Sequence, residues 1–165
     1  MNLQKAGLLS SSLEYQGENK KMDQLFSEQW MIALKNKWNS SPQLYEPLQK
    51  AHFSARIGYG FKGEPRARGL LAIVDGLVMQ AGAMDDGELD WDLRASPENW
   101  TSWIENGFGL TKLGPAIATM ALEFAKGNYR QMIQNPSLSQ PFMQHFQLMA
   151  EISGAGAGKK GKSWF

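Results

Sequence analysis

Apolar side chains occupy every second position from 53 to 61, and small or charged residues fill the positions between them. This period of two predicts a β-strand with one buried face. Apolar runs at 70–74 and 77–83 flank the Asp-Gly pair at 75–76, which is typical of a two-residue hairpin. A fourth alternating segment covers 89–94. We therefore predict a four-stranded meander in which the two hairpin strands are central and antiparallel.

Helical spacing of apolar residues appears on both sides of these strands. Asp23 is positioned to cap a first helix that includes Phe26 and continues to Trp38. Ser96 is followed by a first-turn proline and an acid, which predicts a capped helix ending at Gly107. The other predicted elements are a helical turn at 44–48, a short apolar helix at 110–118 with Pro115 near its start, a fifth strand at 120–125, and helices at 129–134 and 140–152. The predicted fold is α+β, with a five-stranded, mostly antiparallel sheet covered on one face by helices.

The chain of 165 residues has the length of one ordinary domain. We place that domain at 22–152, between a flexible N-terminal arm at 1–21 and a flexible glycine and lysine tail at 153–165. The net charge of +1 gives no broad field for a nucleic-acid backbone, so no nucleic-acid partner is expected. Cysteine is absent, which excludes disulfides, thiol catalysis and cysteine zinc sites. The arm lacks the apolar core of a signal peptide, so we expect a cytoplasmic protein.

Several patterns resemble reaction chemistry but lack its structural context. The phosphate-loop pattern at 156–163 is not followed by a predicted helix, and the dinucleotide pattern at 58–63 precedes a proline and another strand. The acids at 85–92 do not fit the spacing of a calcium loop. His52 and His145 have no carboxylate or second histidine at metal-ligand spacing, which indicates ordinary surface or core histidines. We therefore expect no catalytic residue, no cofactor and no metal.

A strand, a capped helix, a glycine break, a short apolar helix and a closing strand follow one another from 93 to 128. The helix carries the pattern Ser-x-Glu-x-Trp-x-x-Trp at 96–103, and the closing strand ends in Gly-Asn at 127–128. In these features the chain resembles the sterol carrier protein 2 family, over about 23–152. The resemblance implies a non-catalytic fold with an internal apolar tunnel between sheet and helices. It also implies ligands of the sterol, fatty acid or fatty acyl-CoA class.

Apolar residues of the later helices and the fifth strand form the candidate site. Each of them fits plain core packing, and that alternative stays open; together with the resemblance they predict a tunnel wall. The sheet face of Phe53, Ile57, Tyr59 and Phe124 would form the opposite wall. Arg56 or Arg94 at the rim could meet a carboxylate or phosphate, but an arginine solvated at the surface is the favoured alternative. The predicted ligand-binding residues are Trp100, Trp103, Ile104, Phe108, Leu110, Leu113, Ile117, Met120, Phe124, Met132, Phe142, Phe146 and Met149.

Two functions are favoured at this point, and a third, a small hydrolase or isomerase, has the least support because no nucleophile has a base within a recognisable motif. The first is non-catalytic binding and transfer of a lipid-like small molecule, with affinity from apolar burial at about 25 cal/mol per Å². The second is an accessory scaffold that presents a lipidic or aromatic intermediate to partner enzymes, as the resemblance implies for quinone biosynthesis. Both allow a transient contact with a membrane or an enzyme, and neither fixes the oligomeric state.

Overall fold

The computed structural model describes residues 24–153, without the side chains of residues 110 and 133. The predicted cap at Asp23, the predicted arm, the phosphate-loop pattern and the predicted tail beyond Ser153 lie outside the described residues. In chain order the elements are α1 (Glu28–Asn39), α2 (Pro42–Lys50), β1 (Ala55–Phe61), β2 (Gly69–Val74), β3 (Leu77–Ala83), β4 (Trp91–Ala95), α3 (Pro97–Asn106), α4 (Leu110–Ala118), β5 (Glu123–Lys126), α5 (Tyr129–Gln134) and α6 (Pro136–Ile152).

Helix α1 begins later than the sequence pattern predicts. Ser27 is its N-cap, and the Ser27 side chain accepts a hydrogen bond from the backbone N–H of Trp30 at 3.3 Å. Phe26 has a φ of +66°, which lies outside the right-handed helical region, so the helix cannot extend back through this residue. The prediction that Phe26 belongs to the helix was wrong.

Elements with a strong local signal lie where the sequence predicts them. At the hairpin, Asp75 and Gly76 have φ values of +48° and +84°, as a turn with two left-handed central residues requires. The Ser96 side chain accepts a hydrogen bond from the backbone N–H of Asn99 at 3.0 Å, and α3 ends before Gly107. The remaining differences are at boundaries: α6 begins at Pro136, β5 covers Glu123–Lys126, and Pro115 lies in the second half of α4.

The strand order is β3-β2-β1-β4-β5, and β4 pairs with β1 in parallel. The predicted meander was therefore wrong, and β3 is an edge strand rather than a central one. A meander would leave β1 at an edge, although every residue of β1 except Arg56 is buried. Placing β4 on the free side of β1 gives this strand hydrogen-bonded neighbours on both sides. The other three strand pairs are antiparallel, so the sheet is mostly antiparallel as predicted.

A side-chain amide occupies part of the exposed edge of β3. The Asn39 amide nitrogen donates to the backbone carbonyl of Val78, and the backbone N–H of Val78 donates to the Asn39 amide oxygen, both at 2.9 Å. The asparagine thus pairs with one residue of the edge as a neighbouring strand would. This contact also connects the end of α1 to the sheet, where α1 covers β2 and β3.

The helices cover one face of the sheet and form the apolar core with it. Ile57 and Tyr59 of β1 share this face with their register partners Trp91 and Leu93 of β4. Phe26 contributes a fully buried ring that lies 5.6 Å from the ring of Tyr59 and 5.0 Å from that of Trp100. Within residues 24–153, no helix is long and apolar enough to cross a membrane.

Candidate ligand-binding site

The predicted tunnel-wall residues of α3 and α6 pack directly on one another. The rings of Trp103 and Phe108 stack with their centroids 4.5 Å apart, and Phe108 meets Phe146 edge-to-face at 4.8 Å. The ring centroids of Phe142 and Phe146 are 5.1 Å apart. The Trp100 indole N–H donates to the backbone carbonyl of Gly60 at 2.8 Å, which fixes this ring against β1. These contacts make the cluster an aromatic core between α3, α6 and the sheet.

The predicted ligand-binding residues differ in exposure. Ile117 and Phe124 are partly buried, Met120 is 52% exposed, and nothing is described for the Leu110 side chain. Met120 has a φ of +63° just beyond the end of α4, and the Lys62 amino group donates to its backbone carbonyl. The buried members are Trp100, Trp103, Ile104, Phe108, Leu113, Met132, Phe142, Phe146 and Met149. Their role in ligand binding stays a prediction.

A small cavity lies between the sheet and the helices α2 and α6. Its volume is about 20 Å³, which is room for one water-sized molecule. Its wall is apolar, and an acyl tail could occupy it only if α2 and α6 moved apart or their side chains turned. The lining residues are Trp38, Leu48, Phe53, Ile57, Trp91, Leu138, Pro141, Phe142 and His145. This cavity is too small to be the open tunnel expected from the sequence.

Sequence reasoning identified part of this wall. Phe53 and Ile57 were predicted as the sheet side, and Phe142 as a helix contact. The contributions of α1 and α2 were missed, although Trp38 ends the first predicted helix and Leu48 ends the predicted helical turn at 44–48. His145 gave no signal because a single histidine in an apolar helix fits an ordinary core position equally well. Leu138 was missed because α6 begins at Pro136, before the predicted start at 140. Pro141 lay within the predicted helix but was not among the apolar positions selected for the wall.

His145, one of the lining residues, forms a buried polar pair with Tyr59. The Tyr59 hydroxyl is 3.1 Å from His145 Nε2, and His145 Nδ1 is hydrogen-bonded to the backbone carbonyl of Phe142. Because a carbonyl only accepts, Nδ1 carries the proton and Nε2 accepts from the tyrosine. Burial lowers the pKa of His145 to about 4 and raises the pKa of Tyr59, so both side chains are neutral near pH 7. His145 is therefore a core histidine, whereas His52 is exposed beside Asp75.

The two arginines expected at a tunnel rim lie on the sheet face opposite the helices. Arg94 Nε donates to Asp92 Oδ1 at 2.7 Å, and Arg94 also donates to the backbone carbonyl of Glu64 at 2.9 Å. Arg56 forms an ion pair with Asp85. The alternation along β1 and β4 places these side chains away from Ile57 and Tyr59. The rim contact that the sequence left open does not form, because the sheet separates both guanidinium groups from the apolar cavity. The favoured alternative of a solvated arginine is wrong for Arg94, which is 8% exposed.

Comparison with known proteins identifies similar folds among solved structures. No protein-family model matches the sequence, and no curated protein matches it significantly. A crystal structure of sterol carrier protein 2 aligns with a TM-score of 0.61 and 19% identity, over 77% of this chain and 98% of that one. A solution structure from Thermus thermophilus, described as possibly a sterol carrier protein, aligns with a TM-score of 0.56 and 19% identity, over 85% and 93% of the two chains.

These alignments define the class: the chain has the fold of sterol carrier protein 2, as the resemblance of its helix and strand motifs indicated. The two aligned proteins are matched over nearly their whole length. A ubiquinone synthesis protein, UbiJ-SCP2, aligns at a TM-score of 0.47 and 16% identity, over 70% of this chain and 84% of that one.

Proposed function

We propose that this protein binds a lipid-like apolar ligand whose tail enters between α2 and α6. The observation that carries the proposal is the apolar cavity between the helices and the sheet, in a chain with the fold of sterol carrier protein 2. A tail that buries about 200 Å² of apolar surface there would gain roughly 5 kcal/mol at about 25 cal/mol per Å². Part of this gain would be spent on separating the helices, which favours loose selection among ligands of similar bulk.

We further propose that binding proceeds without chemistry on the ligand. The two polar groups nearest the cavity, on Tyr59 and His145, already satisfy one another. Neutral His145 has no carboxylate partner among the described residues that would raise its basicity. A buried phenol whose pKa is raised is a weaker nucleophile at neutral pH than an exposed one. These features support a binding site rather than a reaction centre.

Uptake of a fluorescent fatty acid, NBD-stearate, tests the location. Leu138→Trp adds a ring at the cavity wall and is expected to weaken uptake about tenfold, which is about 1.4 kcal/mol. Ile117→Trp tests the competing location, because Ile117 is a predicted ligand-binding residue of α4 that does not line this cavity, and it is expected to leave uptake unchanged. Circular dichroism and thermal unfolding establish that both variants are folded. Loss of uptake in Ile117→Trp alone would place the ligand under α4, and no uptake by the unmodified protein would refute lipid binding.

The alternative of an accessory scaffold remains a prediction from the sequence, as does the cytoplasmic location. Co-purification with an enzyme complex would favour the scaffold. Native mass spectrometry that finds a single chain with bound lipid would favour the carrier.

A further inference from the structure

The contact between α2 and α6 has different chemistry at its two ends. These helices pack on each other more extensively than any other pair of described helices. One end of the contact borders the apolar cavity at Leu48 and Phe142. The other end opens into a surface cleft of about 250 Å³, whose lining includes Gln43, Gln144 and Gln147. An apolar space and a polar space thus lie along one seam between two helices.

Helix geometry relates the two spaces. On α6 the cavity is lined from Leu138 to His145 and the cleft from Gln144 to Glu151. The two sets are displaced by about six residues, which is roughly 9 Å along the helix axis, and they occupy neighbouring stripes of its surface. On α1, Trp38 lines the cavity and the preceding residue lines the cleft. A ligand that opened the seam would therefore contact both.

The cleft offers unused hydrogen-bonding groups. The side-chain amides of Gln43, Gln144 and Gln147 make no hydrogen bond within residues 24–153, and each has two N–H donors and one carbonyl acceptor. The Ser41 hydroxyl donates to the backbone carbonyl of Lys37 at 2.8 Å, which leaves its oxygen free to accept. Such groups match a ligand that both donates and accepts, as hydroxyl groups do.

The charges in the cleft cancel. Lys37 Nζ lies 3.1 Å from Glu151 Oε1, and this ion pair joins α1 to α6 beside the glutamines. An anionic head group would have to compete with the Glu151 carboxylate for the lysine, and the same carboxylate would repel it. A neutral head group meets neither cost. The cleft therefore favours uncharged hydroxyl groups over a carboxylate or phosphate.

We propose that this cleft binds the neutral polyhydroxyl head group of an amphipathic lipid whose tail occupies the cavity. The inference rests on the proposed function and narrows its ligand class to lipids of the monoacylglycerol kind. Gln144 and Gln147 hold the head group by hydrogen bonds from α6, and Gln43 does so from α2. The seam thereby fixes the orientation of the ligand, with the tail toward the sheet and the head toward solvent.

Binding of monomyristoylglycerol and of myristate, measured by calorimetry, tests this assignment because the two share one tail. The unmodified protein is expected to bind the glycerol ester about tenfold more tightly. Gln144→Ala with Gln147→Ala removes that preference and leaves the myristate affinity within about twofold. Gln140→Ala is the matched control, since Gln140 is an exposed glutamine of α6 outside the cleft, and it should retain the preference.

Side-chain amide NMR gives a second readout that does not depend on the variants. The Gln144 and Gln147 amide signals should shift with monomyristoylglycerol and stay in place with myristate. Equal affinity of the unmodified protein for both lipids, or equal weakening of both by the double variant, would overturn the head-group site while leaving lipid binding intact. Failure of the folded protein to bind either lipid would refute the proposed function and this site together.

Discussion

Acidification should destabilise this protein through His145 well before its carboxylates protonate. His145 is 1% exposed, and burial lowers its pKa from 6.5 to about 4. The unfolded chain therefore binds a proton near pH 6.5 that the folded chain refuses until about pH 4. The contribution of His145 to the unfolding free energy is fully present above the unfolded-state pKa of 6.5. It falls as the pH drops from 6.5 to about 4 and is lost below about pH 4.

The loss of unfolding free energy can be calculated from the difference between the two pKa values of His145. Each pKa unit corresponds to about 1.4 kcal/mol, so the shift is worth about 3 kcal/mol, a large share of an ordinary domain's stability. Glu64 and Asp85 also have lowered pKa values, because of a hydrogen bond from Arg68 and from the Gly87 backbone respectively. Their contributions are lost only below the ordinary carboxyl values of 4.5 and 3.8, so the higher interval belongs to the histidine.

Urea unfolding between about pH 7 and pH 4.5 measures this loss. The unmodified protein should lose between about 2 and 3 kcal/mol of unfolding free energy over that range. The double variant Tyr59→Phe with His145→Leu removes both partners, which avoids an unsatisfied buried group, and its stability should stay nearly flat. Parallel curves for the two proteins would refute the burial argument, because they would mean that His145 titrates normally in the folded chain.

Two local features, the Asn39 side-chain amide and the backbone conformation of Met120, give further predictions. Asn39→Ala removes both hydrogen bonds to Val78 and should lower the unfolding free energy by roughly 1 to 3 kcal/mol. Because the edge of β3 is then open, this variant should also aggregate faster, as measured by light scattering. Asn36→Ala is the control on α1, and equal aggregation rates of the two variants would contradict the edge argument. Met120→Gly should raise the unfolding free energy by about 1 kcal/mol, because a residue with a Cβ is strained at the left-handed φ of +63° and glycine is not. A lower melting temperature of the variant would mean that contacts of the methionine side chain stabilise the fold by more than this strain destabilises it.

The predictable parts of this fold are those decided within a few residues. The Asp-Gly turn at 75–76 and the Ser96 cap rest on local geometry, and both were confirmed. The position of β4 is not decided locally, since alternating apolar residues suit a strand beside β3 as well as one beside β1. The parallel pairing of Gly58 with Asp92 joins residues far apart in the chain, and the sequence pattern carries no trace of it.

The candidate site shows the same division. Phe142 and Phe146 were recognised as apolar helix residues, but periodicity cannot distinguish a ring that fills the core from a ring that borders a cavity. That difference depends on what the other elements bring to the same place, such as Trp38 from α1 and Leu48 from α2. The free amides of the cleft were missed because glutamine on a helix surface is ordinary and acquires meaning only beside a second helix.

Three aromatic rings form part of the cavity wall. Phe53 and Trp91 meet with their ring planes at 60° and their centroids 5.5 Å apart, and Trp91 meets Phe142 at 72° and 6.2 Å. These rings and the neighbouring Leu48 and Leu138 leave about 20 Å³ between them unfilled. The atoms around that gap lack neighbours on one side and so forgo dispersion contacts. An apolar ligand would supply those contacts, which gives the proposed binding between α2 and α6 an energetic source within the packing itself.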